Sequence, residues 1–319
     1  MLKNDWFIMC SEVIGEFKSV TKRFGTIVAL DGLSLKICRG INGLIGPNGV
    51  GKTTAIRLSL GLIKPSAGNA ELFGFDCWNK SNDIRSKVGV LYEKFAFYDH
   101  LSGLEQLKLM TKLKGVSVSL VEIKELLKLV ELDASAHNRR ISGYSAGMRQ
   151  RLGLAQALLG SPELVFLDEP TSNLDPLNRA KILELISFLN KEQDISFLIS
   201  SHILSELEKI CDNFILINKG KLLRQGTLEQ MFDKSDITTF IVKVQPAESV
   251  EALLKNEEYV ETLSIIDNSL HVAVRDAELF KRRLPLLISQ AGASLDEMGI
   301  VKPDLEAVFK SAVEEVQKN

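Results

Sequence analysis

The loop GPNGVGKTT, from Gly46 to Thr54, sets the fold class of this chain. It follows the apolar run Ile41–Ile45 and precedes a helix-like stretch at 55–60, so it lies between a predicted strand and a predicted helix. This is the GxxxxGKT phosphate-binding loop in the context that its mechanism requires. Its glycines allow backbone N–H groups to turn inward around a phosphate chain, and the start of the helix adds its positive end.

Each position of this loop has a predicted role. Lys52 can reach the β- and γ-phosphates of a nucleotide, and the Thr53 hydroxyl can bind Mg²⁺. The alternative is a glycine-rich turn without a ligand, but the motif spacing and the flanking elements favour the phosphate loop. The loop residues predicted to contact the nucleotide are Gly46, Pro47, Asn48, Gly49, Gly51, Lys52, Thr53 and Thr54.

The composition indicates a soluble chain of two domains. With 319 residues, 45% of them hydrophobic, the chain is long enough for two cores. A net charge of −2 provides no global basic field that would favour nucleic acid or an anionic membrane surface. The four cysteines are scattered without a CxxC pair, which predicts reduced thiols and argues against a metal site or a disulfide framework. No stretch approaches the ~18 consecutive apolar residues of a transmembrane helix.

The larger, N-terminal part of the chain alternates strand and helix patterns. β-rich segments at 14–45 precede the phosphate loop, and apolar residues at helical spacing predict a helical insert at about 94–160. The alternation predicts an α/β domain at 1–231, with a parallel sheet covered by helices on both faces. Short apolar runs predict its buried parallel strands at 164–167, 195–200 and 214–217.

A second, smaller α+β domain is predicted at 232–319. Its strand and helix patterns follow in the order βαββαβ, which matches the split βαβ, ferredoxin-like motif. A final amphipathic helix at 305–316 begins after Pro303. Since no phosphate, metal or acid–base constellation falls within this segment, we expect it to be an accessory module for interaction or regulation.

Two carboxylates follow the predicted strand at 164–167. Asp168 and Glu169 are therefore expected at the carboxyl edge of the parallel sheet, beside the phosphate loop. There Asp168 can fix Mg²⁺ through its water shell, and Glu169 can polarise the water that attacks the γ-phosphorus. The alternative is an ordinary solvated acidic turn before Pro170.

Three further motifs carry a resemblance to a known family. They are YSAGMRQR at Tyr144–Arg151, SNLD at Ser172–Asp175 and SSH at Ser200–His202. With the phosphate loop and the Asp168–Glu169 pair, and in the family's order, they resemble the nucleotide-binding subunit of an ABC transporter over roughly 17–226. The resemblance implies a P-loop NTPase fold of ABC type, with a helical subdomain, that binds and hydrolyses ATP.

The resemblance assigns roles to residues that have none on their own. Phe24 takes the position where the family stacks an aromatic ring on adenine, and Asp175 matches the loop that communicates across the dimer. Ser145 and Gly147 occupy the signature, where a helix N-terminus faces the γ-phosphate held by the other subunit. His202 matches the histidine that contacts the γ-phosphate and orients the catalytic carboxylate. Without the resemblance, Phe24 would be interpreted as a core residue and His202 as a capping or core histidine.

Two positions depart from the family pattern. The signature is YSAGM where LSGGQ is usual, and the form with Tyr first and Met last resembles the export-linked branch of single-domain ATPases. Glu93 stands where the family typically has Gln, and its carboxylate can still ligate Mg²⁺ through oxygen. The predicted metal ligands are therefore Thr53, Glu93 and Asp168.

The resemblance also implies partners and a location. We expect a second ATPase subunit, identical or homologous, and a separately encoded permease that holds this chain at the cytoplasmic, inner face of the cell membrane. The signature and the tail after residue 300 favour export. The alternative is a soluble ABC ATPase acting on ribosomes or nucleic acid, but such relatives generally carry tandem nucleotide domains, so no nucleic-acid partner is expected. An inactive regulatory binder is disfavoured because the predicted catalytic residues Lys52, Glu169 and His202 are all present, as is Asp168.

Overall fold

A computed structural model describes residue 10 and residues 12–172, 174–231, 238–300 and 305–318, with side chains in the last segment to residue 313. The chain divides into two units, Met1–Glu229 with Phe309–Asn319, and Gln230–Val308. The expected domain at 232–319 stays a prediction, and in this division the residues from Phe309 cluster with the first unit. Within that unit, Ser311 Oγ lies 3.5 Å from the Arg224 guanidinium.

The first unit contains two sheets and the helices between their strands. In chain order, its described strands are β1 (Val13–Phe24), β2 (Ile27–Cys38), β3 (Ile41–Ile45), β4 (Ala67–Leu72), β5 (Phe75–Asp76), β6 (Val88–Leu91), β7 (Leu164–Asp168), β8 (Ser196–Ser201), β9 (Asn213–Asn218) and β10 (Lys221–Gly226). The described helices up to residue 231 are α1 (Lys52–Ser59), α2 (Ser81–Lys87), α3 (Gly103–Lys114), α4 (Leu120–Leu129), α5 (Ala146–Leu158), α6 (Pro176–Gln193), α7 (Leu204–Ile210) and α8 (Leu228–Met231).

The two sheets share one hydrophobic core. The antiparallel sheet has the order β2-β1-β4-β5, and the second sheet has the order β10-β9-β3-β8-β7-β6. In the second sheet β3, β6, β7, β8 and β9 are parallel, while β10 is antiparallel to β9. β3 and β7 are buried along their whole length, as their apolar sequences require in a sheet covered on both faces. Side chains of both sheets and α1 meet in the core, among them Leu30, Leu33, Leu44, Ile56 and Phe166.

The strand order positions the site. Because β3, β8 and β7 are parallel neighbours, the segments that follow them leave the sheet at the same edge. These segments are the phosphate loop after β3, the Asp168–Glu169 pair at the end of β7, and His202 after β8. The predicted α/β architecture with a parallel sheet is confirmed.

Helices α3, α4 and α5 lie within the predicted insert at about 94–160, so the helical subdomain is confirmed. α3 and α4 both begin with a capping box. Ser102 and Ser119 accept hydrogen bonds from the N–H groups of Glu105 and Glu122, and their own N–H groups donate to those glutamates. These caps satisfy N–H groups that the first helical turn leaves without an intrahelical partner.

The second unit has the predicted βαββαβ order. Its described elements are β11 (Thr238–Gln245), α9 (Ala247–Leu254), β12 (Val260–Ile266), β13 (Ser269–Val274), α10 (Ala277–Gln290) and β14 (Ser294–Ile300), and the last helix of the chain is α11 (Leu305–Lys318). The antiparallel sheet has the order β12-β13-β11-β14, so β13 lies between β11 and β12, as in a split βαβ motif. Phe240 of β11 and Phe280 of α10 meet in a core of its own, with ring centroids 4.6 Å apart. The ferredoxin-like order is therefore confirmed.

One cysteine pair differs from the expectation. Cys10 and Cys38 form a disulfide, so the prediction of reduced thiols is wrong for these two residues. The β1–β2 register explains the pairing, because Val13 lies opposite Cys38 and brings the preceding residues close to it. Cys77 and Cys211 are free thiols, and burial raises the pKa of Cys77 to about 12.

None of the described helices combines the length and the apolarity that a membrane span needs.

Candidate nucleotide-binding and catalytic site

The loop between β3 and α1 requires glycine at several positions. Gly49 and Gly51 have φ angles of +81° and +112°, which residues with a Cβ rarely adopt. A Cβ at Gly46 would lie 2.4 Å from the Ile217 carbonyl oxygen. The glycines therefore let the chain turn tightly from the strand into α1, whose positive end lies at the loop.

Lys52 folds back over this loop. Its side chain is buried, and Nζ donates hydrogen bonds to the carbonyl oxygens of Gly46 (2.5 Å) and Pro47 (3.4 Å). The same ammonium lies 3.7 Å from Glu169 Oε1. A positive charge is thus held between the phosphate loop and the carboxylate that follows β7.

Asp168 is held by two hydroxyl groups. Thr53 Oγ1 donates to Asp168 Oδ2 at 2.8 Å, and Ser200 Oγ donates to the other oxygen, Asp168 Oδ1. The β7–β8 register places Asp168 directly opposite Ser200. The two oxygens of this buried carboxylate therefore face different neighbours, one toward the phosphate loop and one toward β8.

Glu169 lies between an ammonium and an imidazole. It is 8% exposed, and its Oε2 lies 2.7 Å from Nδ1 of His202, whose side chain is 55% exposed. Its backbone has a φ of +53°, and its N–H donates to Ser200 O (3.0 Å) and Ser200 Oγ (3.1 Å). Within the part of the chain that the structure describes, Glu169 Oε1 has no hydrogen-bond partner. This oxygen can accept a proton or a hydrogen bond from a bound water.

A cavity of about 370 Å³, called here the phosphate-loop cavity, brings most of the predicted site together. The sequence did not single out Ala29, because it belongs to the antiparallel sheet, whose approach to the loop depends on tertiary packing. The residues that line the cavity are Ala29, Asn48, Gly49, Gly51, Lys52, Thr53, Thr54, Glu93, Asp168 and Glu169.

Four residues outside this cavity lie at the starts of α5 and α6 and are called here the signature cluster: Ser145 and Gly147 of the predicted signature, Asp175 of the predicted dimer loop, and Asn178. Ser145 caps α5 by accepting from Met148 N at 3.3 Å, and a Cβ at Gly147 would lie 3.4 Å from Asn178 Oδ1. Asp175 caps α6 and accepts hydrogen bonds from Asn178 N (3.0 Å) and Nδ2 (2.6 Å). Asn178 therefore connects the two helix starts, a role that the sequence analysis missed although the Asp175–Asn178 spacing is that of an N-cap and its partner.

Hydrogen bonds from Asn178 also stabilise the charged form of Asp175. The Asn178 backbone N–H has the largest effect and its side-chain amide the next, and both lower the pKa of the Asp175 carboxyl below its usual value.

Phe24, the predicted adenine platform, lies at the end of β1 with an exposed ring, and Lys22 Nζ is 4.9 Å from the ring centroid. Neither Phe24 nor the signature cluster is among the described residues that line the phosphate-loop cavity.

Comparisons with known proteins identify the family. The sequence model of the ABC transporter family matches residues 30–172. The bacitracin transport ATP-binding protein BcrA of Bacillus licheniformis is 41% identical over 207 residues, which are 65% of this chain and 67% of that protein. The chain belongs to the ATP-binding proteins of ABC transporters.

A second relative and a solved structure are also similar to this ABC ATP-binding protein. The daunorubicin resistance ATP-binding protein DrrA3 of Streptomyces coeruleorubidus is 30% identical over 90% of this chain and 92% of its own length. A solved dimeric ATP-binding cassette in a post-hydrolysis state, with ADP and phosphate bound, is 26% identical, with a TM-score of 0.61 over 67% of this chain and 98% of that chain. The predicted family, ABC fold and ATPase activity are therefore confirmed, and this ABC ATP-binding protein hydrolyses ATP to drive transport.

Proposed function

We propose that this ABC ATP-binding protein uses Mg²⁺-ATP, pairs with a second ATPase subunit and drives a separately encoded exporter. The observation that carries the proposal is the position of the Glu169 carboxylate, 2.7 Å from His202 Nδ1 and 3.7 Å from Lys52 Nζ. Among the described residues, the second oxygen of this buried carboxylate accepts no hydrogen bond, so Glu169 is suited to accept a proton from a water that attacks a γ-phosphate.

The oxygen donors beside the phosphate loop fit Mg²⁺. Thr53 Oγ1 and Asp168 Oδ2 lie 2.8 Å apart, and Mg²⁺ in nucleotide sites typically takes one or two protein oxygens together with phosphate oxygens and waters. Thr53 and Asp168 would hold the ion together with the phosphate oxygens of a bound nucleotide. Glu93 lines the same cavity and is proposed as a further oxygen ligand. When bound, Mg²⁺ neutralises charge on the β- and γ-phosphates.

The side chains of the site divide the catalytic work. Lys52 exchanges its hydrogen bonds with the Gly46 and Pro47 carbonyls for phosphate oxygens, which stabilises the ground state and the transition state alike. Glu169 accepts the proton of the attacking water. His202 holds Glu169 Oε2 through Nδ1, and its exposed ring keeps the second nitrogen available for the γ-phosphate.

A second subunit completes each site. Ser145 and Gly147 are not among the described residues that line the phosphate-loop cavity. An N-terminal helix end suits a phosphate, and α5 begins in the signature. Two copies, or one copy and a homologue, therefore bind ATP between the phosphate loop of one and the signature of the other. The dimeric state of the solved cassette supports this arrangement.

The permease and the direction of transport are inferred from relatives. BcrA is named as a bacitracin transport ATP-binding protein, and DrrA3 as a daunorubicin resistance ATP-binding protein. A transporter that confers resistance lowers the concentration of the toxic compound in the cell, which supports export. The chain is therefore held at the inner face of the cell membrane by a membrane-spanning partner. Neither of these two relatives is named for an action on ribosomes or nucleic acid, as the soluble alternative would require.

The segment 232–319 serves as an accessory module and the segment 1–231 as the ATPase domain. None of the predicted site residues falls within 232–319, and the unit Gln230–Val308 has its own core. DrrA3 matches this chain along 92% of its own length, so a relative named for drug resistance shares the tail.

Purification from detergent-solubilised membranes tests the proposed partner. The tagged chain is purified with Mg²⁺-ATP, and the co-purifying proteins are identified by mass spectrometry. A multispanning protein whose recovery is enriched over a tag-only control supports the proposal. Ribosomal proteins or nucleic acid in place of a membrane protein would refute it and support the soluble alternative.

A further inference from the structure

A single buried hydroxyl connects the two carboxylates of the site. Ser200 lies in β8 with no exposed surface, and its Oγ donates a hydrogen bond to Asp168 Oδ1. The same Oγ accepts the backbone N–H of Glu169 at 3.1 Å. One hydroxyl therefore donates to Asp168, which ends β7, and accepts from Glu169, which follows it.

The hydrogen bond from Glu169 N–H to Ser200 stabilises an unfavourable backbone conformation of Glu169. Glu169 has a φ of +53°, in the left-handed region, where a non-glycine residue is stable only if its surroundings hold it. Its N–H is shared between Ser200 O at 3.0 Å and Ser200 Oγ at 3.1 Å. Ser200 thus supplies both acceptors that hold the backbone from which the Glu169 side chain reaches His202.

The contact to Asp168 selects which oxygen faces the phosphate loop. Because Oδ1 is occupied by Ser200, Oδ2 is the oxygen that meets Thr53 Oγ1 at 2.8 Å. Without the Ser200 hydroxyl, the carboxylate would lose the partner that fixes its rotation, and either oxygen could turn toward Thr53. The orientation that suits a metal beside Thr53 therefore depends on Ser200.

We propose that Ser200 is a positioning residue of the ATPase reaction, and that its hydroxyl fixes Asp168 for the metal and Glu169 for the attacking water together. The inference rests on the proposed roles of Asp168 and Glu169. Ser200 acts through these residues and does not line the phosphate-loop cavity. Its loss therefore reduces turnover and the benefit of Mg²⁺, while binding of metal-free nucleotide, which depends on the loop and Lys52, is retained.

β8 provides a matched control. Ser196 is also buried in this strand, and its Oγ accepts the Gly40 N–H at 3.3 Å, at the opposite end of the strand from the site. Ser196→Ala removes the same buried hydroxyl from the same strand without touching a site residue. Ser200→Thr keeps the hydroxyl, and Ser200→Cys keeps a weaker donor of similar size.

The experiment compares these variants in two assays. Steady-state phosphate release gives kcat and KM for ATP, and calorimetry in a Glu169→Gln background gives nucleotide affinity with and without Mg²⁺. For Ser200→Ala we expect kcat to fall roughly 10- to 100-fold, the range of a lost hydrogen bond to a charged group, and KM for Mg²⁺-ATP to rise as the Mg²⁺-dependent part of the affinity is lost. The Mg²⁺-dependent gain in affinity should shrink by roughly the same order, with metal-free affinity unchanged. Ser200→Thr should recover most of kcat, or Ser200→Cys part of it where the threonine variant does not fold, and Ser196→Ala should match the parent.

Several results would overturn the inference. Ser200→Ala with kcat within twofold of the parent does so, as does an equal loss of kcat in Ser196→Ala or a matching loss of metal-free affinity, each of which indicates a structural role. It is also contradicted if neither Ser200→Thr nor Ser200→Cys has a higher kcat than Ser200→Ala. If Glu169→Gln alone leaves turnover intact, the proposed function fails. If Glu169→Gln is slow and Ser200→Ala is fast, only the present inference fails.

Discussion

Replacing Glu169 by Gln removes the charge of the proposed general base and leaves its shape nearly unchanged. Loss of a general base typically costs about 10²–10⁴-fold in rate, which is about 2.7–5.4 kcal/mol at 1.36 kcal/mol per decade. The structure favours the upper part of this range. Both oxygens of the neighbouring carboxylate, Asp168, already accept hydrogen bonds from Thr53 and Ser200, so Asp168 has no uncommitted oxygen to take over. We therefore expect kcat to fall about 10³-fold or more.

Binding should survive this substitution. The amide of Gln can still meet His202 Nδ1 and remains near Lys52, whose ammonium stays available for phosphate. Calorimetry should give an ATP affinity close to that of the parent, and size-exclusion chromatography should show an ATP-bound dimer that accumulates. Phosphate release measures the turnover. Glu163→Gln is the control, because Glu163 directly precedes β7, the strand that ends at Asp168, and forms an exposed ion pair with Lys87 at 2.6 Å. Turnover of Glu169→Gln within twofold of the parent would refute its role as the base.

Three further predictions concern the phosphate loop, the metal and the second unit. Lys52→Ala should weaken Mg²⁺-ATP binding roughly 10- to 100-fold, because a charge-assisted contact to phosphate is lost, and unchanged affinity by calorimetry would contradict the phosphate-loop assignment. EDTA should stop phosphate release and added Mg²⁺ should restore it, whereas turnover that persists in excess chelator would exclude the metal requirement. Phe280→Ala should lower the free energy of unfolding of the second unit by about 3–5 kcal/mol in urea titrations, since its ring is fully buried beside Phe240. Nucleotide affinity should stay unchanged in this variant, and a parallel loss of affinity would show that the accessory module is part of the nucleotide site.

The fold was predictable where local patterns have one physical solution. The short apolar run of β7 with its terminal carboxylate is typical of a strand buried on both faces, and the structure has it at Leu164–Asp168. Period-two and helical patterns likewise gave the βαββαβ order of the second unit. Features that depend on contacts between distant segments could not be predicted from the sequence. The pairing of Cys10 with Cys38 depends on the β1–β2 register, and the cluster to which residues from Phe309 belong depends on packing between distant segments.

The site residues that directly follow a strand could be predicted from the sequence. Glycine spacing identifies the phosphate loop, and parallel topology brings the residues after β3, β7 and β8 to one edge. Ala29 and Asn178 were missed because each reaches its place from an element that has no motif of its own. Ser200 left a weak signal, a hydroxyl at the end of an otherwise apolar buried strand, where an unpaired polar group would be costly.

The backbone conformation of Glu169 could not be predicted from the sequence. β7 is regular to Asp168, and a local rule would continue an extended backbone into the next residue, yet Glu169 turns to a φ of +53°. Such a conformation costs about 1–3 kcal/mol for a non-glycine residue unless neighbours compensate. The compensation comes from β8, through the two acceptors of Ser200, and β8 follows β7 only after the whole of α6. The catalytic carboxylate is therefore aimed by the β7–β8 register, so a change that shifts this register by one residue should abolish turnover even when every motif residue is present.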